Sequence, residues 1–595
     1  MHISRVQIRN FRNFKSIDVP MAKNSVLVGE NRAGKSNFIH ALRLVLDTSL
    51  PDRSRSLKIS DFWDGIAGPF AEGGNSIEID VDFVGFEANP ATHALLADFR
   101  VADDHTVARI SYRFRPDCEG EPSSEADFDY IIFGGGDETR SVPSKTRKRL
   151  VLDVLHALRD AESDLANWRK SPLRPLVEDA FSRIPDSDLV SVSSAIEGAG
   201  DALLQLGEIT TLEATLRGKL LAIGGPRNDI DAKFGILSTD PSRLANILKL
   251  FIDGGSREIG DASLGSANLA LLTLQLAEYE WKRAQNEQDF TIIAIEEPEA
   301  HLHPQLQRKV FSTLFQENLE APQSLIVTTH SPNIASVTPF NQIILLRNYG
   351  DKGAAAYSLA NLSLADDKKD DLQGYLTTTR AEILFSNGVI FVEGPSEEAI
   401  VPAFSATLGH DLDALGITVC SVDGVDFGPY LKLATMLGLP CSVITDWDPI
   451  AGGTPLGWAR AKKLLLSKRD IQGAAAVTPA QLSRLDTEED TLRAAARKYN
   501  IYLNSSTLEI ELSQDPDLAD VLLSILSEQT SFGPVLKSRI ARYQADHAEI
   551  VPEKLMLMIG YVGKGRFARA LAQRIGGIAP PEYIKLAIEH VVAKT

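Results

Sequence analysis

Eight consecutive residues, Gly29-Glu30-Asn31-Arg32-Ala33-Gly34-Lys35-Ser36, have the types and spacing of a phosphate cradle. Glycines in such a loop let backbone N–H groups close around an anion, and the helix that follows points its positive end at it. In this reading Asn31 and Gly34 line the loop, Lys35 reaches the β- and γ-phosphates of ATP, and Ser36 ligates one Mg²⁺. Farther along, the apolar run Thr291–Ile295 ends in Glu296-Glu297-Pro298. The first acid is placed to hold Mg²⁺ through water, the second to orient or deprotonate an attacking water. Glutamate at position 296, where such strands more often carry aspartate, lengthens the reach by one methylene. His330 closes another apolar run, Val327-Thr328-Thr329, where an imidazole can contact a γ-phosphate. Ser263-Leu264-Gly265-Ser266 opens a helical stretch and has the small-residue turn that suits an anion.

A second set of residues is acidic. Ile390-Phe391-Val392 runs into Glu393-Gly394-Pro395, with Glu397 four positions after Glu393. Val443-Ile444-Thr445 runs into Asp446-Trp447-Asp448. Residues two apart on an extended chain share a face, so both aspartates can address one ion. A helix starting at the Gly-Pro turn would carry Glu397 towards the same cleft. Oxygen-only ligands suit Mg²⁺ or Mn²⁺ and disfavour zinc, and two such ions can flank a scissile phosphate. Acids at strand ends are commonly just solvated; the weight lies in two such ends within about fifty residues. Thr507–Leu512 alternates as a strand would, placing Glu509 and Glu511 on one face, and either can serve as a ligand. Gly563-Lys564-Gly565 sets a lysine between glycines, where backbone can approach a phosphate.

These residues need strands that end together. Alternation over residues 2–9 predicts a strand, followed by the aromatic turn Asn10-Phe11-Arg12-Asn13-Phe14. Ser25–Val28 reads as a short buried strand and residues 35–47 as a helix. Further strands are expected at 77–83, 107–114, 128–133, 291–295 and 324–328. Residues 145–220 have a helical composition and interrupt the αβ pattern, which resumes by residue 233. The charge cluster Asp366–Asp371 marks a linker. A second αβ unit follows, with strands near 388–393, 417–422 and 441–446 and helices over 479–500 and 518–548.

At roughly 150 residues per domain, 595 residues exceed one core. No apolar run approaches the roughly 20 residues of a membrane helix, and Met1–Arg5 lacks the pattern of a secretory signal. Cys118, Cys420 and Cys441 form no C-x-x-C pair, which argues against a zinc site or a disulfide framework. The expected compartment is the cytoplasm, with no membrane partner. A net charge of −19 argues against indiscriminate DNA coating. Local basic patches and carboxylate-bound metals remain compatible with it. The basic run Lys145–Arg149 reads first as a solvated helix start and second as a DNA-backbone contact.

The order of motifs in the first half resembles the ABC ATPases of the RecF/SMC/Rad50 type. Ile8–Phe14 and Glu296–Pro304 are especially similar to the overcoming-lysogenization-defect (OLD) branch. Glu393-Gly394 followed by Asp446-x-Asp448 resembles the Toprim pattern, and Glu509 and Lys564 resemble C-terminal elements of OLD nucleases. The resemblance implies an α/β chain: an ABC-like ATPase domain with an inserted helical arm, then a Toprim (Rossmann-like) domain with a helical extension. In residues, these are a split ATPase domain (1–144 and 231–365), a dimerisation arm (145–230), a linker (366–375) and a Toprim domain (376–595). It implies an ATP-dependent, Mg²⁺- or Mn²⁺-dependent DNA endonuclease or nickase in phage defence or DNA processing. Glu393, Glu397, Asp446, Asp448 and Glu509 would hold two ions, with Glu393 and Lys564 catalytic. Glu297 and His330 would serve ATP hydrolysis. Ser263 would complete the nucleotide site of a second subunit in a homodimer or higher homo-oligomer, although Ala267 stands where that segment often has glycine. Members of the family act alone or beside a UvrD-like helicase. The alternative is a RecF/SMC-like DNA-binding ATPase clamp whose Toprim unit does not cleave.

Overall fold

The computed structural model describes the chain apart from residues 67–75, 119–121, 156–166, 169–170, 225–232, 235–244, 246–247, 249, 253–256, 259–262, 286–287, 301, 318–322, 361–372, 375–379, 473–483 and 486–487. The expected linker lies almost wholly outside the described residues.

Two sheets are interleaved in the first half. β1 (His2–Phe11) turns at the aromatic motif into β2 (Phe14–Pro20), and the chain then crosses to a second sheet as β3 (Ser25–Val28). The cradle loop and helix α1 (Lys35–Leu46) follow. β4 (Ile77–Val84), β5 (Ala108–Pro116), β6 (Phe128–Gly134) and β7 (Asp137–Ser141) return to the first sheet, completing the order β2-β1-β4-β5-β6-β7. All its pairings are antiparallel. Val6, Ile8, Ile79, Val81, Ile110 and Tyr112 alternate along these strands and are fully buried, the period of two that a one-faced core demands.

β8 (Leu150–Leu155) corrects the expected arm, which was to start at residue 145. It pairs parallel with the later strand Phe290–Glu296 and belongs to the second sheet. Its aliphatic run is short and set between a basic stretch and an acidic helical one, so composition over a wide window hides it. The arm's described helices come later: α2 (Leu173–Ser182), α3 (Asp186–Leu204) and α4 (Gly207–Gly224). A small ribbon, β9 (Phe251–Ile252) with β10 (Arg257–Glu258), precedes helix α5 (Leu264–Ala284).

β11 (Phe290–Glu296), α6 (Pro304–Glu317), β12 (Gln323–Thr329), α7 (Pro332–Val337), β13 (Ile343–Asn348) and β14 (Ala354–Ser358) complete the second sheet. Its order is β14-β13-β3-β12-β11-β8, parallel except for the edge strand β14. Burial on both faces accounts for the unbroken apolar runs. The C-terminal ends of β3, β11 and β12 therefore lie side by side, leading into Gly29, Glu296-Glu297 and His330.

The second half has a four-stranded parallel sheet. β15 (Gly388–Val392), α8 (Pro395–Thr407), β16 (Ile417–Ser421), α9 (Gly428–Met436), β17 (Cys441–Thr445), α10 (Leu456–Gln472), α11 (Glu489–Lys498) and β18 (Ile501–Leu503) give the order β16-β15-β17-β18. β15 shows how the sheet is seated. Val389 and Phe391 face a core that also contains Val26, Val28, Val327 and Leu345 of the ATPase sheet. Ile390 and Val392 face a separate core made with the C-terminal helices. Those helices are α12 (Leu508–Leu512), α13 (Pro516–Ser527), α14 (Pro534–Ala545), α15 (Pro552–Val562), α16 (Lys564–Ala572) and α17 (Glu582–Val592). α12 corrects the strand expected over Thr507–Leu512. Leu508 and Leu512, four apart, are both buried, which is helical spacing. All three cysteines are free. Among the described residues no helix is long and apolar enough to cross a membrane.

Candidate nucleotide and metal sites

The cradle loop is held in shape before any ligand arrives. Gly29 (φ 154°) and Gly34 (φ 106°) adopt positive φ. A Cβ on Gly29 would lie 2.3 Å from the Leu346 carbonyl oxygen, and one on Gly34 would lie 2.4 Å from Asn13 Nδ2. The aromatic turn supports the loop from below. Asn13 Nδ2 donates to the Ala33 carbonyl at 3.0 Å, Asn37 donates to Asn13 Oδ1 at 2.7 Å, and Arg12 ties Asn37 to Asp61.

Lys35 is buried, and its ammonium donates to the carbonyls of Gly29 (2.9 Å) and Glu30 (3.1 Å) and to His330 Nε2 (2.7 Å). Burial lowers its pKa to about 8, against the opposing pull of Glu297, Glu299 and Glu30. Glu297, in a left-handed conformation (φ 46°), brings Oε1 within 3.1 Å of His330 Nε2. That nitrogen can accept from Lys35 or donate to Glu297, but one proton cannot serve both contacts at once. The sequence reading gave no role to Glu299, which positions the histidine. Its two oxygens accept from His330 N (2.6 Å) and Thr329 Oγ1 (2.8 Å). Its signal was the acid-rich Glu296–Glu299 run itself. Asn31 and Ser36 are exposed on the loop and the first turn of α1, and Glu296 is half-buried at the end of β11. Ser263 is exposed and caps α5, where its Oγ accepts from Ser266 N. Its hydrogen bonds stay within its own helix start.

The acid cluster forms where β15 and β17, adjacent and parallel, both end. Carboxylate oxygens of Glu393, Asp446 and Asp448 all lie within 4.8 Å of one another. Glu393 Oε1 accepts from the Asp446 backbone N–H at 2.8 Å and from the Thr445 hydroxyl. Asp446 Oδ1 accepts from Asn504 Nδ2 at 2.5 Å, while Asn504 Oδ1 accepts from Trp447 N at 2.8 Å. Asn504 follows β18, so the fourth strand locks the loop after the third. The two aspartates do not share an extended face as expected. The strand ends at Thr445, and Asp448 enters a left-handed turn (φ 48°) that brings its carboxylate back.

Two further acids are buried behind these. Glu397, in the first turn of α8, is 8% exposed, and Glu509 on α12 is 5% exposed. Burial, followed by the charges of Glu509 and Glu393, raises Glu397 to about 7; backbone N–H donation opposes this. Burial, followed by Glu393 and Glu397, raises Asp446 to about 8 against the Asn504 hydrogen bond. Lys564 Nζ lies 3.8 Å from Glu509 Oε1. Lys564 is the first residue of α16, so the Gly-Lys-Gly run is a helix start capped by Gly563 (φ 90°). Glu511 turns away and accepts from Ser505 N at 2.9 Å.

One residue in this cluster had no signature in the sequence. Arg460, on α10, inserts its guanidinium among the acids. It pairs with Glu393 and donates to Asp448 Oδ2 (2.7 Å), Thr445 Oγ1 (2.8 Å) and the Asp446 carbonyl (3.2 Å). Its side chain is 9% exposed.

A nucleotide-type loop on one parallel sheet and a carboxylate cage on another define an ATPase joined to a Toprim unit. Residues 25–336, more than half of the chain, match the family described as "AAA domain, putative AbiEii toxin, Type IV TA system". Residues 384–448 match "Overcoming lysogenization defect protein-like, TOPRIM domain". The chain belongs to the AAA-domain family of the first match, and the second match shows an OLD-like Toprim domain over residues 384–448. It is 26% identical over 465 residues to the OLD nuclease of Thermus scotoductus, covering 75% of this chain and 82% of that protein. It is 21% identical over 463 residues to the endonuclease GajA of Bacillus cereus, covering 75% of each. The solved C-terminal region of the Burkholderia pseudomallei OLD protein is 36% identical. It covers 36% of this chain and all of that one, with a TM-score of 0.32.

Proposed function

We propose that the protein is an ATP-regulated, divalent-metal-dependent DNA endonuclease or nickase. One observation carries the reading: Glu393, Asp446 and Asp448 converge within 4.8 Å at the ends of parallel strands, backed by the buried acids Glu397 and Glu509. So many carboxylates gathered in one place are costly unless cations balance them. The donor set is all oxygen and fits Mg²⁺ or Mn²⁺. Glu393, Glu397, Asp446, Asp448 and Glu509 would hold two ions. Bound there, the ions would supply an activated water and stabilise the leaving oxygen. Lys564, exposed at the rim beside Glu509, is placed to meet charge that develops on the phosphate. The names of the relatives, a nuclease and an endonuclease, point the same way.

At the other site Asn31, Gly34, Lys35 and Ser36 would bind the phosphates of ATP, Glu296 would support its Mg²⁺, and Glu297 with His330 would position the attacking water. Ser263, exposed and, among the described residues, hydrogen-bonded within its own turn, suits a part played against the nucleotide of a second copy. Residues 145–230, less β8, would then supply the dimerisation arm. Regulation has a physical route. Ser331, next to His330, caps α7, and α7 packs against Arg380–Phe385, the turn that leads into β15 and Glu393. Arg347 of β13 also donates to the Ser386 carbonyl just before β15. A role in phage defence or DNA processing follows from the family, alone or with a UvrD-like helicase.

A supercoiled plasmid incubated with Mn²⁺ and the full chain tests the proposal. Conversion to open-circle or linear DNA, stopped by chelator, is expected. ATP turnover stimulated by DNA without strand scission would instead establish the clamp.

A further inference from the structure

We infer that Arg460 is a built-in counter-cation of the acid cluster: it occupies the carboxylates when no divalent ion is bound, yields Asp448 when one binds, and so sets the metal affinity of the site. The inference rests on the metal reading above and asks what this chain does with its acids before metal arrives.

The cluster carries Glu393, Asp446 and Asp448 within 4.8 Å. Repulsion at such distances in a half-buried site favours a resident cation. The resident cation is built in: one guanidinium from α10 bridges Glu393 and Asp448. Arg460 is the only basic side chain paired with either acid among the described residues. Its Nη1 also reaches Thr445 Oγ1 and the Asp446 carbonyl.

The planar fork explains why arginine serves here. Nη1 reaches Glu393, Thr445 and the Asp446 carbonyl, while Nη2 reaches Asp448 at 2.7 Å. A lysine ammonium is a single point and cannot hold two carboxylates through separate nitrogens. The fork also splits the contacts into two arms. The Nη1 arm is anchored by three partners on β15 and at the end of β17. The Nη2 arm has Asp448, whose turn is 28% exposed in its side chain and opens to solvent. A divalent cation entering from solvent meets Asp448 first and competes with the weaker arm. Arg460 is therefore a positioning residue: it holds Glu393 and Asp448 together and grades their availability.

Mn²⁺ titration of the nucleotide-free full chain by calorimetry tests this, with Glu393→Gln, Arg460→Met and Arg460→Lys beside the unaltered protein. Removing a cation that opposes metal entry should tighten the first Mn²⁺ by about tenfold in Arg460→Met, with Arg460→Lys between the two. A residue that merely braces the fold would instead weaken Mn²⁺ binding on removal. Unchanged or weaker binding in Arg460→Met, with binding still lost in Glu393→Gln, overturns the role of Arg460 and leaves the metal site standing. Equal Mn²⁺ binding by Glu393→Gln and the unaltered protein overturns the metal site, and this inference with it. If Arg460→Met fails to fold, Asp448→Asn releases the same arm. It should then remove the difference between Arg460→Lys and the unaltered protein, and a difference that persists overturns the inference.

Discussion

The two phosphate-handling regions of this chain solve opposite electrostatic problems. In the nucleotide loop burial lowers a cation, Lys35, to a pKa of about 8, and its ammonium donates to carbonyls and to His330. In the Toprim unit buried acids, Asp446 and Glu397, are raised to about 8 and 7 by burial, while Arg460 pairs with their neighbours Glu393 and Asp448. The sites also differ in assembly. The loop is eight adjacent residues with its shape set by two glycines, whereas the cage gathers side chains from Glu393 to Lys564 out of five elements. Local chemistry therefore makes the first site robust, and only the tertiary fold makes the second.

The comparison breaks most visibly at Glu393 and Lys564. Glu393→Gln or Lys564→Ala should lower plasmid cleavage by about a hundredfold or more and leave ATP binding intact. Cleavage retained by both variants would remove them from the chemistry. Lys35→Ala is the reciprocal test. It should weaken ATP binding by about ten- to a hundredfold, as loss of a charge-assisted phosphate contact does, while Mn²⁺ binding to the acid cluster persists.

Proton linkage sharpens the contrast by a smaller amount. Metal ligands must be deprotonated, so Mn²⁺ affinity at the cluster should climb from pH 6 to above pH 8, with protons released on binding. The metal-free fold should show the reverse trend. Carboxyls raised above their unfolded values stabilise the fold fully below about pH 4, and that contribution is lost as pH rises through 7 to 8. Melting curves with and without Mn²⁺ across this range check both signs. The smallest effect should come from Ser263→Ala. ATP binding to the single chain should stay constant, and turnover should fall only at protein concentrations where copies associate.

What could be read in advance follows the same division. The loop, Glu296, Glu297 and His330 were legible because each is tied to a strand end by sequence. Glu393 and Asp446 were legible for the same reason. Glu509 was found on the wrong element, since Leu508–Leu512 satisfies a period of two as well as one helical turn and only packing decides between them. β8 escaped because six aliphatic-rich residues sit inside a helical composition. Arg460 escaped entirely. A lone arginine on a helix carries no spacing rule, and its meaning arises only when α10 is laid across the ends of β15 and β17. Glu299 was in plain view but has a role only through His330.

The central claim is that five acids cage divalent cations beside the phosphodiester to be cut. Anomalous scattering from crystals of the full chain soaked in Mn²⁺ addresses it most directly. The account predicts two peaks bounded by Glu393, Glu397, Asp446, Asp448 and Glu509, with Arg460 withdrawn from Asp448. Manganese bound elsewhere, with these carboxylates bare and still paired to Arg460, would contradict it.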